Sequence, residues 1–265
     1  PEEVRDDLAA LLLSLADNKR LLGMRYSEWL LGAPTLEAGI ACSAMAQDEW
    51  GHSRILYAML KDFGEDPGRL EHEREAAEYL NCELLDDPPQ TWTGLVALNV
   101  LLDTALSVQI ESLKDSRFEP LHYKVRKVLE EERFHFEHGR GWLARMGQTP
   151  AGKTALDEAM SPAWQSCLRW FGAPEGGLIT RLHAAGVSDA GPDELRARWI
   201  QRIGPAVAGA GLELAEQGED GAWVSAVEVD WSDWDSARRR SGAGVLNAET
   251  LAAVRGDKNR TKLMD

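Results

Sequence analysis

The sequence predicts an all-α protein: a four-helix bundle carrying additional C-terminal helices and an irregular acidic tail. Three observations predict it. Apolar residues recur at three- and four-residue steps from the N-terminus to about residue 172. Proline falls mostly between those stretches rather than inside them. The 265 residues, 44% hydrophobic and 28% charged, are enough for one large globular domain or two small ones.

The first helix is expected from about Glu3 to Leu31, where Gly32-Ala33-Pro34-Thr35 breaks it. Thr35, with Glu37 in the first turn, suits the N-cap of a second helix reaching about Phe63. Gly64-Glu65-Asp66-Pro67-Gly68 ends that helix, and a short helix is expected within Glu71 to Leu85. Asp86-Asp87-Pro88-Pro89 then leads into a third long helix from about Thr91 to Ser112. A fourth runs from Leu121 to Met146, closed by Gly147 and Pro150. Beyond these, Lys153 to Phe171 reads as a helix interrupted at Pro162, and Pro192 to Leu214 as another. An alternating stretch from Ala222 to Trp231 reads as an extended segment. The expected organisation is therefore a core over 1–150, packed helices over 151–215 and an extension over 216–265.

Charge narrows the function. Lys and Arg number 29 against 44 Asp and Glu, a formal net charge of -15, so polyanions are repelled from most of the surface. No nucleic-acid partner is expected. No stretch approaches the roughly 18 apolar residues of a membrane span, and the N-terminal segment puts acids ahead of its apolar run, unlike a signal peptide. A cytoplasmic location with no membrane partner is the expectation. Cys42, Cys82 and Cys167 share no metal-binding spacing and read as buried thiols.

The chemistry lies on the second and fourth helices. Glu49-Trp50-Gly51-His52 and Glu132-Arg133-Phe134-His135 are both Glu-x-x-His steps. Three residues make about one helical turn, so each step aims a carboxylate and an imidazole the same way. Two such steps, with one acid from each remaining helix, are the ligand pattern of the ferritin-like di-iron and di-manganese proteins. Asp103 supplies the third-helix acid, set in an otherwise apolar run where an unpaired anion is costly. One Glu-x-x-His step alone is common on solvated faces; two steps with a buried Asp are much harder to obtain by accident. His138, one turn past His135, reads as a supporting or surface histidine. Tryptophans such as Trp164 and Trp199 at amphipathic positions read as core.

The first helix is the weak link. Counting back from the turn at Gly32 to Thr35, the residues level with Glu49 and His52 are Asp17 to Arg20. Glu28 would lie roughly 15 Å away at the helical rise and reads as a structural or intersubunit acid. Two possibilities stay open: Asp17 is the missing carboxylate, or Lys19 or Arg20 projects a cation in place of metal charge.

Several segments carry a resemblance: Leu15-Ala16-Asp17-Asn18, Ser27-Glu28-Trp29, Ala33-Pro34-Thr35-Leu36-Glu37, Asp48-Glu49-Trp50-Gly51-His52-Ser53-Arg54 and Glu131-Glu132-Arg133-Phe134-His135-Phe136-Glu137-His138. Together they resemble the phenylacetyl-CoA epoxidase A/C subunit family, ferritin-like proteins of phenylacetate catabolism. Gly139-Arg140-Gly141-Trp142-Leu143 looks more like the C type. The resemblance implies a structural, C-type chain that holds a catalytic A-type partner, in a complex fed by a separate reductase and acting on an aromatic acyl-CoA. A homodimer is a further option. It also implies an alternative, a di-iron oxygenase with metal on Glu49, His52, Asp103, Glu132, His135 and Asp17; under the C-type reading the iron is absent.

Overall fold

The computed structural model describes residues 2–256; the end of the expected extension, 257–265, lies outside the described residues. In chain order the helices are α1 (Arg5–Glu28), α2 (Leu36–Met59), α3 (Pro67–His72), α4 (Trp92–Ala97), α5 (Thr104–Glu111), α6 (Pro120–Met146), α7 (Pro150–Trp170), α8 (Leu178–Ala184), α9 (Pro192–Gly209) and α10 (Ala248–Arg255). The described residues fall into two compact units, one of Glu2–Pro88 with residues 237–256 and the other built on Pro89–Ser236. That division differs from the three consecutive segments read from the sequence.

In the first unit α1 packs against α2, burying Leu11, Leu12, Leu15, Leu22 and Tyr26 completely. Gly23 permits the approach, since a Cβ there would sit 2.7 Å from the Trp50 indole and 3.1 Å from the Ala46 carbonyl oxygen. Thr35 caps α2, its hydroxyl accepting from the Ala38 amide at 3.2 Å. The short helix expected within 71–85 is displaced: α3 ends at His72, and only 3₁₀ turns follow at Ala76–Glu78 and Glu83–Leu85. The reason is tertiary. Side chains of α1 take the backbone groups a helix would have used: Ser14 donates to the Leu80 carbonyl at 2.7 Å, and Asn18 accepts from the Cys82 amide at 2.9 Å.

The expected irregular tail is partly ordered into this unit. Asn247 caps α10 by accepting from the Thr250 amide at 2.7 Å, and Arg25, fully buried on α1, donates to Thr250 Oγ1 at 2.8 Å and to the Leu85 carbonyl at 2.7 Å. Arg240 pairs with Asp86.

In the second unit α4 and α5 are one rod, Trp92–Glu111, joined by a π-helical turn at Leu98–Asp103. Thr91 caps it. An 18-residue window of it has a mean hydropathy of 1.5, which corrects the expectation that no stretch approaches a membrane span, but 89% of that window is buried, as in a core helix. The Trp199 indole on α9 donates to the Leu101 carbonyl inside the π turn at 3.0 Å, and the Trp164 and Trp199 rings lie 4.7 Å apart.

Helix α6 crosses the same turn at Gly139, where a Cβ would fall 1.7 Å from Asn99 Oδ1. The interruption expected at Pro162 does not occur: α7 runs through it. Burial of Leu156, Met160, Trp164 and Leu168 along one face outweighs the one hydrogen bond proline removes. Helix α9 stops at Gly209 instead of Leu214, because Gly211 turns left-handed at φ 80° and Leu212 bonds back to the Val207 carbonyl. Of the extended segment expected from Ala222 to Trp231, Trp223–Ser225 pairs antiparallel with Ala215–Gln217.

Candidate functional site

In the first unit α2 places Glu49 and His52 one turn apart, with His52 Nδ1 4.0 Å from Glu49 Oε2. The facing residue from α1 is Lys19. Its Nζ lies 3.0 Å from Glu49 Oε1, and both side chains have 0% exposure. Of the two first-helix possibilities, the cation is the one the packing brings to Glu49.

Asp17 goes elsewhere. Two residues along a helix point to different sides, and the Asp17 carboxylate accepts from Tyr57 Oη at 2.6 Å, from the Leu80 amide at 2.8 Å and from both terminal nitrogens of Arg74. Burial, then the Asp17 charge, pushes the Tyr57 hydroxyl well above its ordinary pKa. Burial works to lower the Arg74 pKa, but the charge and hydrogen bonds of Asp17 prevail and raise it. Arg20 pairs with Glu71 and donates to the Val254 carbonyl at 2.7 Å. Glu28 pairs with Arg25 at 2.8 Å, a structural role as expected.

The second unit holds a different arrangement. His135 Nδ1 lies 3.2 Å from Asp103 Oδ2 and 3.9 Å from Glu132 Oε2. Ser107 Oγ donates to Glu132 Oε2 at 2.8 Å and lies 2.9 Å from the Asp103 carbonyl oxygen. Asp103, Glu132 and His135 are all buried, and each offers a ligand atom within 4.8 Å of the others'. Two carboxylates and an imidazole make a donor set that can hold a metal ion. Burial, then the neighbouring His135, lowers the pKa of His138, consistent with a supporting position.

The carboxylates of the two units meet different partners. In the second, Asp103, Glu132 and His135 bring two carboxylates and an imidazole to one point, which suits a cation. Around Glu49 an ammonium already sits at hydrogen-bonding distance, and a metal ion beside it would meet like charge in a dry environment.

Sequence reading missed Ser107 and the π turn. The signal for Ser107 was its position four residues after Asp103, hence on the same face. The π turn left a fainter trace, two polar residues four apart, Asn99 and Asp103, inside an apolar run. Such turns recur at functional positions of helices.

A largely helical chain that buries two Glu-x-x-His steps, at Glu49 and Glu132, is of the ferritin-like class. This chain belongs to the phenylacetic acid catabolic protein family, which it matches over residues 1–230. Over 215 residues, 80% of this chain and 86% of the relative, it is 26% identical to the C subunit of 1,2-phenylacetyl-CoA epoxidase from Escherichia coli (strain K12). The resemblance read from the motifs is borne out.

Proposed function

We propose that this chain is the C-type structural component of a multicomponent phenylacetyl-CoA epoxidase in phenylacetate catabolism. In this reading it acts in the cytoplasm and holds an A-type catalytic partner, which receives electrons from a separate reductase and epoxidises the aromatic ring of the CoA thioester. The single observation that carries the reading is the Lys19–Glu49 pair, 3.0 Å and fully buried, where a catalytic relative would need a metal-binding acid. Exposed apolar side chains support it: Leu31, Leu36 and Ile40 around the α1–α2 turn in the first unit, and Tyr123 and Phe134 on α6 in the second. A chain whose work is to hold a partner needs such surface.

The test is reconstitution with an A-type partner after iron-replete expression. The expected result is co-purification, turnover that is lost when this chain is omitted, and iron on this chain alone well below one per chain. A stoichiometric di-iron spectrum from this chain alone would overturn the proposal. The alternative is a metal-binding oxygenase in its own right, and what favours it is the Asp103, Glu132 and His135 donor set. Under the structural reading His135→Ala leaves turnover of the reconstituted complex unchanged; loss of turnover with loss of bound metal supports the alternative.

A further inference from the structure

The second unit contains a cleft among α5, α6 and α9, with a volume of 320 Å³. That is near the lower end of the range of roughly 300–1,000 Å³ typical of small-molecule sites. The buried ends of its lining residues are polar: Thr104, Ser107 and Glu132 are each under 9% exposed. Leu129 and Phe136 give it apolar walls. Arg133 and Arg202 are the exposed residues that line it.

The Thr104 hydroxyl is the unexplained group. It is buried and has no hydrogen-bond partner among the described residues. A helical threonine ordinarily gives its hydroxyl to a carbonyl three or four residues back, and a buried hydroxyl with nothing to bond costs about 1–3 kcal/mol. At the outer end Arg202 is matched by Glu111 at 2.5 Å. Arg133 lies over the Phe134 ring at 5.3 Å and makes no ion pair among the described residues. The cleft thus runs from hydroxyl and carboxylate acceptors, past an apolar middle, to a guanidinium whose planar fork suits a carboxylate.

We propose that this cleft binds a hydroxylated aromatic monocarboxylate. The ligand carboxylate meets Arg133, its ring lies between Leu129 and Phe136, and its hydroxyl reaches Thr104 and Glu132. A carboxylate at the inner end is disfavoured by the charge of Glu132. The site stands whether or not the chain assembles with a catalytic partner.

The test is calorimetric titration of the full chain with 4-hydroxyphenylacetate. Saturable binding of one ligand per chain is expected. Phenylacetate, which lacks the hydroxyl, and 4-hydroxyphenylacetamide, which lacks the charge, should each bind about tenfold more weakly, equivalent to about 1.4 kcal/mol. Arg133→Ala should weaken the carboxylate without affecting the amide, Thr104→Val should remove the preference for the hydroxyl, and Leu129→Trp should fill the cleft and abolish binding. Arg133 is on the surface, so its variant keeps the test decisive if Leu129→Trp fails to fold. The proposal is overturned by no saturable binding, by equal affinity for acid and amide, by Arg133→Ala or Thr104→Val leaving selectivity unchanged, or by undiminished binding to folded Leu129→Trp.

Discussion

The Glu-x-x-His steps that begin at Glu49 and Glu132 lie in different compact units, and their carboxylates meet different partners. In the first unit the Glu49 carboxylate is neutralised from within by Lys19. In the second, Asp103 and Glu132 gather around His135, and a serine hydroxyl donates to Glu132. The difference teaches that the step itself specifies only where an acid and an imidazole point. Which partner each carboxylate meets is set by the residue that the neighbouring helix contributes.

That contrast can be broken most forcefully at Asp17. Asp17→Ala strands Arg74 as a buried charge and leaves the Tyr57 hydroxyl and Leu80 amide without their acceptor; the expected loss is about 3–5 kcal/mol in urea unfolding. A loss under about 1 kcal/mol would show that water replaces the carboxylate, and that the cluster is less dry than its burial implies. Lys19→Met should cost about 3 kcal/mol by leaving Glu49 buried without this counter-charge. Lys19→Glu sharpens the comparison further: it makes the first unit resemble a metal half-site, so iron measured per chain should exceed that of the unaltered protein. Equal iron in both would mean that Lys19 is not what keeps metal out.

His135→Ala should cost about 2 kcal/mol, as Asp103 loses one of its partners. Differential scanning calorimetry should show a smaller shift than for Asp17→Ala. Gly139→Ala should cost about 1–2 kcal/mol, because the new methyl displaces the amide end of Asn99 and meets Val100 Cγ2 at 2.9 Å. A loss as large as that of Asp17→Ala would mark the π turn as rigidly held by α6. The smallest effect is kinetic. Burial pushes the Cys42 thiol up to about 11, so the reactive thiolate appears only as pH rises toward that value. At pH 8 a thiol-specific reagent should leave Cys42 unmodified in the folded protein and modify it on unfolding.

Much of this was legible beforehand. Thr35 as a cap and the long helices follow from local periodicity and hydrogen-bonding chemistry, which the chain carries in itself. The level of Lys19 with Glu49 came from counting residues away from the turn at Gly32. What local rules could not show was the segment from Glu73 to Leu85, whose helical tendency is overruled by Ser14, Asp17 and Asn18 bonding its backbone. The uninterrupted passage of α7 through Pro162 is the same lesson reversed: buried side chains on one face held a helix that proline alone argues against.

The sequence by itself determined the all-helical architecture, the family and the residues that would carry charge into the interior. The tertiary structure decided between Asp17 and Lys19, two neighbours on one helix that differ by a side of it. Periodicity fixes the angle between them but not which side meets Glu49. That choice belongs to packing, because only the closure of α1 on α2 at Gly23 selects which charge is left facing the carboxylate.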